Sequence, residues 1–181
     1  QASSKVLFGD YCSACHGAGG AGGPNFPVLA DDDWLWGGSV EEIEETISNG
    51  HYGFMPAFKD TFTEQQLDDV ASYVLSLSGH AADASAVARG EQIFQTSEGG
   101  CYYCHTAAGT GLRSQGAANL TDQIWTIANV AETASAGEKQ AAVKRVIANG
   151  VERKMPGWSG RLTPTQIKLL TVYVHELGGG Q

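Results

Sequence analysis

An all-α fold, built as two tandem copies of one small helical bundle, is what this sequence of 181 residues predicts. Three observations carry that prediction. The same landmarks recur in the same order in both halves of the chain. Helix-start and helix-stop signals stand at matching places in each copy. No convincing apolar–polar alternation marks a strand.

The repeat is read from paired landmarks. Leu7-Phe8 matches Ile93-Phe94, Asn25 matches Asn119, and Trp34 matches Trp125. Thr46-Ile47-Ser48-Asn49-Gly50 matches Val146-Ile147-Ala148-Asn149-Gly150, and Met55-Pro56-Ala57-Phe58 matches Met155-Pro156-Gly157-Trp158. The offset grows from 86 at the phenylalanines to 100 from the Asn-Gly pair onward, so the second copy carries insertions, chiefly between Trp125 and Val143. Two domains are expected, an acidic one over residues 1–80 and a second over 87–181, joined by a linker at 81–86 in the small, polar stretch Gly79–Ala86.

Each copy predicts three helices. The first holds Phe8 or Phe94. The second runs about Val40–Asn49, with Ser39 and Glu42 at capping-box spacing, and about Gly137–Asn149 in the other copy; Gly50 and Gly150 end them. The third starts at Thr63 with Gln66 three residues on, and at Thr163 with Pro164 and Gln166. Its apolar stripe is Leu67, Val70, Ala71, Val74, Leu77, answered by Ile167, Leu170, Thr171, Val174, Leu177.

The four cysteines, Cys12, Cys15, Cys101 and Cys104, form two C-x-x-C pairs, and a histidine, His16 or His105, follows each at once. That pattern reads as covalent attachment of haem c. Two thiols at this spacing on one helical turn can bond the two vinyl groups of one porphyrin, and the adjacent imidazole then lies under the iron. A structural zinc, two disulfides, or a thioredoxin-like redox pair are the competing uses of such cysteines. The chain has only two methionines, Met55 and Met155, each followed by proline and each downstream of one motif. A thioether opposite an imidazole favours reduced iron. The expectation is therefore two haem c groups, one iron held by His16 and Met55, the other by His105 and Met155. Trp34, Phe58, Trp125 and Trp158 are expected to pack the two pockets, as is Trp36, with electron relay as the other use of these rings. His51, four residues before Met55, reads as a surface or propionate-contacting residue; His80 and His175 are expected to face solvent.

Charge and composition narrow the class. The formal net charge of −9 disfavours nucleic acid as a partner. It is unevenly placed: residues 1–84 hold 2 basic and 13 acidic side chains, net −11, whereas 85–181 hold 9 and 7, net +2. Asp31–Asp33 and Glu41–Glu45 either steer a basic protein partner or are solvated surface. Glycine is abundant, at 24 residues, as in a loop-rich fold around something other than a large side-chain core. No apolar run reaches bilayer-spanning length, and Gln1 reads as a processed end or an artificial boundary.

Taken together these residues resemble class I cytochrome c domains along the whole chain. More narrowly, Asp31-Asp32-Asp33-Trp34-Leu35-Trp36-Gly37-Gly38, then Ile43…Asn49-Gly50, Met55-Pro56-Ala57-Phe58, and the ending Val172-Tyr173-Val174-His175-Glu176-Leu177-Gly178-Gly179-Gly180 resemble the dihaem subunit (CcoP or FixP) of C-family haem–copper oxidases. The resemblance implies a periplasmic electron-transfer domain with no catalytic residues of its own. It takes electrons from a quinol-oxidising complex or a small cytochrome c and passes them to the oxidase core, with membrane contact only through an anchor or a partner subunit. It also implies that Pro24 accepts the bond from His16; the second copy has Ala118 there, which leaves the partner of His105 open. A free-standing dihaem carrier, a cytochrome subunit of a periplasmic dehydrogenase, and a dihaem redox enzyme with one exchangeable ligand are the alternatives.

Overall fold

The computed structural model describes residues 2–128, 130–131 and 133–178; Gly179 and Gly180, part of the resemblance above, lie outside them. The helices are α1 (Ala2–Tyr11), α2 (Ser13–His16), α3 (Val40–Asn49), α4 (Glu64–Leu77), α5 (Ala84–Gln95), α6 (Tyr102–His105), α7 (Ala136–Asn149) and α8 (Pro164–Leu177). The chain is thus mainly helical, as the repeat and its capping signals predict. Ser39, Thr63 and Thr163 cap α3, α4 and α8 through reciprocal boxes with Glu42, Gln66 and Gln166. A fourth box, Ser135 with Glu138, starts α7 one residue before the predicted Gly137. α5 begins at Ala84, inside the segment expected as linker, because the Asp83 carboxylate accepts from the Ala86 amide at 2.9 Å.

Two short strands, β1 (Gly50–Met55) and β2 (Val151–Pro156), pair into a small sheet that the sequence reading missed. Their residues hide the usual signal. On β1 the outward positions are aromatic, Tyr52 and Phe54 being 54% and 65% exposed, while the inward ones are His51, Gly53 and Met55. On β2 the half-buried positions are Val151, Arg153 and Met155, so a cation interrupts the apolar face.

The compact units are not the two consecutive blocks expected. One unit is residues 1–52 with 153–181; the other is the continuous stretch 53–152. The reason lies in which helix covers which. In the first unit α8 packs on α1 and α3, burying Phe8, Ile43, Ile47, Ile167, Leu170 and Val174 together. In the second, α4 packs on α5 and α7, burying Leu67, Val70, Val74, Ile93, Phe94, Val143 and Ile147. Each third helix therefore closes over the first two helices of the other sequence repeat. The charge asymmetry goes with it: residues 1–52 with 153–181 carry 5 basic and 9 acidic residues, net −4, and 53–152 carry 6 and 11, net −5.

In the 53–152 unit a buried carboxylate ties α4 to α5. Asp69, whose side chain is 3% exposed, accepts from Arg89 Nε and Nη2 at 2.8 Å each and from Gln65 Nε2 at 3.0 Å. Gly90, the next residue on α5, lies so close to the Asp69 carbonyl that a Cβ there would overlap it, so the helices cross at backbone contact. The bonds from Arg89 hold the Asp69 carboxyl below its usual range against the opposing effect of burial. A depressed native pKa contributes stability that is complete above the unfolded value, about 3.9, and is lost as pH falls through the native one. Asp69→Asn is accordingly expected to lower the melting temperature at pH 7, with the gap to the unsubstituted protein closing as the pH drops below about 4. Melting curves against pH check this; a gap constant down to low pH would contradict it.

Candidate functional site

The short helices α2 and α6 do the same local work in the two units. Each follows a cysteine, Cys12 or Cys101, and ends at the histidine, and the His amide bonds the first cysteine's carbonyl at 2.9 Å in both. One turn of helix therefore sets both thiols and the imidazole on one short arc. Cys12 and Cys101 are half-buried, and Cys15 and Cys104 are exposed. Burial pushes the Cys12 thiol up to about 11, with Cys15 adding to the rise, and burial likewise pushes Cys101 up to about 11. A reactive dithiol needs the opposite shift. Among the described residues no three His, Cys, Asp or Glu side chains converge to hold a metal ion by themselves.

Both imidazoles are oriented by a backbone carbonyl. His16 Nδ1 donates to the Pro27 carbonyl at 3.1 Å, and His105 Nδ1 donates to the Ala118 carbonyl at 2.9 Å. A carbonyl can only accept, so Nδ1 carries the proton and Nε2 keeps its lone pair. Burial lowers both histidine pKa values, with the carbonyl bond opposing, which favours the neutral ring a metal needs. The expected acceptor for His16 was Pro24. The reciprocal Gly23–Phe26 backbone bonds put Pro24 and Asn25 at the tip of a tight turn, Asn25 at φ +66°, and the carbonyl delivered to the ring comes three residues later. Ala118, by contrast, is the residue that aligns with Pro24, and it does the work expected of the proline.

The methionines do not lie where the order of the sequence suggests. Met55 lines an apolar cavity with Cys101, His105, Phe94, Trp125 and Ile147. Met155 packs, with Cys12, Trp34 and Trp158, on the cluster of Phe8, Ile43, Ile47 and Leu170. The pairing of His16 with Met55 and of His105 with Met155 is therefore corrected: each methionine shares a core with the other repeat's cysteine–histidine turn. The aromatic residues follow. Phe58 joins the Met55 core, stacked on Phe62 at 4.9 Å; Trp158 joins the Met155 core, edge-on to Tyr11 at 5.7 Å with Arg161 over its ring at 5.4 Å.

Two observations bear on whether these cores fit a large planar group with acidic substituents. The indole N–H groups of Trp34 and Trp125 are buried without a hydrogen-bond partner, one in each unit. Such orphans are costly unless an acceptor from another molecule meets them. The Met55 cavity is lined mainly by apolar side chains, with Cys101 and His105 among its lining residues. A planar, apolar ring system with carboxylate arms suits both, and the residues present fit haem c.

Sequence reasoning missed two residues near these cores. His80, expected to be solvated, is half-buried, with its ring 6.3 Å from Trp125 and its Nε2 buried and unbonded. Arg153 shares the half-buried face of β2 with Met155, and burial lowers its guanidinium pKa. A linker histidine and an arginine between charged neighbours carry no periodicity signal that would single them out. His175 is half-buried rather than solvated. His51 lies flat on Trp36, centroids 4.0 Å apart and planes 2° apart, and its Nε2 bonds Thr46 Oγ1 at 2.9 Å. Trp36 is thus a platform for His51 more than a lining of the core.

A model of the family described as cytochrome c oxidase, cbb3-type, subunit III matches residues 1–74 and 85–174. The chain is 44% identical over its whole length to the cbb3-type cytochrome c oxidase subunit FixP of Azorhizobium caulinodans, covering 61% of that protein. It is 43% identical to the FixP of Bradyrhizobium diazoefficiens, again over its whole length and 62% of the relative. The subunit CcoP of Cereibacter sphaeroides is 39% identical over 99% of the chain and 61% of the relative. The chain thus spans about three-fifths of the length of these relatives.

Burial under Trp36 lowers the His51 pKa below its ordinary value, and the charge of Glu45 only partly opposes this. Trp36→Ala uncovers the ring, so the His51 pKa is expected to rise toward about 6.5. A proton NMR titration of the His51 ring checks it, and a further fall would show that stacking is not the cause.

Proposed function

The chain belongs to the family of cbb3-type cytochrome c oxidase subunit III, and from that membership we propose that it forms the dihaem electron-transfer portion of such a subunit, held on the periplasmic side of the membrane. Among the described residues no helix is long and apolar enough to cross a membrane. The observation that carries the reading is that each compact unit gathers one cysteine–histidine turn and one methionine into an apolar core holding an unpartnered indole N–H.

Cys12 and Cys15 in one unit, and Cys101 and Cys104 in the other, would each bond one haem c by adding a thiol S–H across each vinyl group. Two haems per chain follow from two such turns. Bound haem c supplies one-electron exchange between Fe(III) and Fe(II). The chain supplies the rest. His16 and His105 present a neutral Nε2 whose direction is set by the carbonyls of Pro27 and Ala118; such outer partners raise ligand basicity and fix ring orientation. Met55 and Met155 supply soft sulfurs that favour the reduced metal. Val70, Val74, Phe94, Val143 and Ile147 exclude water from one site and Phe8, Ile43, Ile47 and Leu170 from the other, which favours the less charged, reduced state. Were a histidine and a methionine both to hold each iron, the haem would serve electron exchange rather than substrate binding, which separates this reading from a dihaem redox enzyme. The donor is a small cytochrome c or a quinol-oxidising complex and the acceptor the oxidase core.

Mass spectrometry of protein made in a host competent in cytochrome maturation is expected to show two covalently bound haems; a bare polypeptide would overturn the reading. In an optical redox titration, Met55→Ala and Met155→Ala are each expected to lower the potential of one haem by tenths of a volt, within the ~0.8 V span that axial ligands cover, and to leave the other nearly unchanged. Unchanged titrations in both variants would remove the methionines as ligands. The exposed acidic residues Asp32, Glu41 and Glu45 are expected to steer a basic cytochrome. Stopped-flow rates should fall about tenfold or more as ionic strength rises to 0.15 M, and rates indifferent to salt would remove this face as the docking site.

A further inference from the structure

We propose that His80, acting with Trp125, holds one carboxylate beside the Met55 cavity, a propionate of the haem bonded through Cys101 and Cys104, and that Lys139 fixes which His80 nitrogen faces it. The proposal rests on the haem c reading above and gives a role to two residues, His80 and Lys139, that this reading leaves without one. It also makes the two haems unequal, because the histidine and the lysine belong to one repeat only: Ser39 aligns with Lys139, and Gly180 with His80.

Three elements of the 53–152 unit converge here. His80 is placed by the end of α4: its amide donates to the Leu75 carbonyl at 3.0 Å and the Gly79 amide to the Ser76 carbonyl at 3.1 Å, with Gly79 at φ +80°. This Schellman closure uses backbone alone, so it aims the histidine without engaging its ring. The loop of Trp125 is tied to the same helix end, because Gln123 Nε2 donates to the Ser78 carbonyl. α7 brings Lys139 from its N-terminal end, the Lys139 amide bonded to the Ser135 carbonyl at 3.0 Å. The rings of His80 and Trp125 then stand 6.3 Å apart, and Lys139 Nζ lies 3.5 Å from His80 Nδ1.

An ammonium can only donate. Nδ1 of His80 therefore accepts at this contact, and the ring hydrogen sits on Nε2. His80 Nε2 is buried without a protein acceptor, and so is Trp125 Nε1. Two buried N–H donors side by side are costly to leave unmet, and a carboxylate, with two accepting oxygens, suits both. The charge agrees: the ion pairs among the described residues involve Arg89 and Lys144 and leave the Lys139 ammonium out. The other unit is built differently around its buried indole. Gly178 aligns with Ser78 and lies so close to Trp34 that a Cβ there would overlap the ring, and Ser39 is spent on capping α3. A carboxylate bonded by two donors and facing an ammonium presents less negative charge to the iron, which favours Fe(II) in the 53–152 unit.

The test uses the full chain carrying both haems, in buffer free of carboxylates. In an optical redox titration, His80→Leu is expected to lower the potential of one haem and shift the electron partition between the two about tenfold, equivalent to about 59 mV for one electron. His80→Gln, whose amide still donates, is expected to recover most of that shift, and Lys139→Met to give a smaller fall at the same haem. Trp125→Phe is expected to move this haem too and to be non-additive with His80→Leu, because both strike one acceptor; Trp34→Phe is expected to move the other. With haem carrying ¹³C at its propionate carboxyls, the labelled carboxylate band in oxidised-minus-reduced infrared spectra is expected to shift in His80→Leu and return in His80→Gln. Unchanged potentials and an unchanged labelled band in dihaem His80→Leu would overturn the proposal. A response seen only when acetate is added would place a free anion at the site and overturn the haem assignment. Protein that binds no haem would instead reject the reading on which the proposal stands.

Discussion

Everything in the molecule depends on a third helix packing across the first two helices of a bundle, with one aromatic pair at the crossing. Phe8 and Phe94 are almost fully buried, at 2% and 1% exposure, and each meets a tyrosine about 5 Å away. Burying such a ring is worth about 2–3 kcal/mol in transfer free energy alone, with a further ~0.5–1.5 kcal/mol from a well-placed ring pair. Neither first helix finds its tyrosine within its own repeat. For the unit of residues 1–52 and 153–181 the contact spans most of the chain, so closing it costs loop entropy that only the finished core offsets. For the unit of residues 53–152 the same architecture is reached continuously, with the closing helix coming first in the sequence and the cysteine–histidine turn afterwards.

Once the helices are exchanged, the rest of each site follows by attachment. β1 and β2 carry the chain out of one core and into the other, and the methionine at or near the end of each strand is delivered with it. The aromatic residue three positions later, Phe58 or Trp158, anchors the same turn through its amide to the helix that ends at the glycine. The two units then differ in what lines them. Val151 borders the Met55 cavity, whereas β2 brings Arg153 alongside Met155. The repeats are similar in sequence, but the fold gives the two candidate sites unlike electrostatic surroundings. It also spreads the negative charge of the first half of the sequence over both units.

The histidine bonds show how little chemistry the backbone needs to borrow from a particular side chain. Pro24 was expected as the acceptor because the resemblance to cytochrome c domains implies it. The accepting group is a carbonyl, which every residue has, and the path of the loop decides which carbonyl arrives. Pro27 supplies it in one unit and Ala118 in the other. The buried indole N–H groups of Trp34 and Trp125 make the complementary point. They are expensive to bury unpaired, so their presence in both cores is a statement about what completes those cores.

Much of this protein is decided locally and could be read from the chain itself. Capping boxes at Ser39, Thr63 and Thr163, glycines after the second helices, and apolar stripes at helical spacing depend on residues three to seven positions apart. So does the cysteine–histidine turn. Tertiary structure alone decided which copy of each element pairs with which. The two repeats are nearly interchangeable in pattern, so Phe8 could face Tyr73 or Tyr173 with equal local satisfaction, and nothing in spacing separates the two. The short strands escaped for a related reason: their inward positions carry Gly53 and Arg153 and their outward ones Tyr52 and Phe54, an order that only the surrounding cores explain. The kinds of helix and ligand were legible because their physics is short-ranged, whereas the partnership between halves was not, because it is settled by packing across the whole chain.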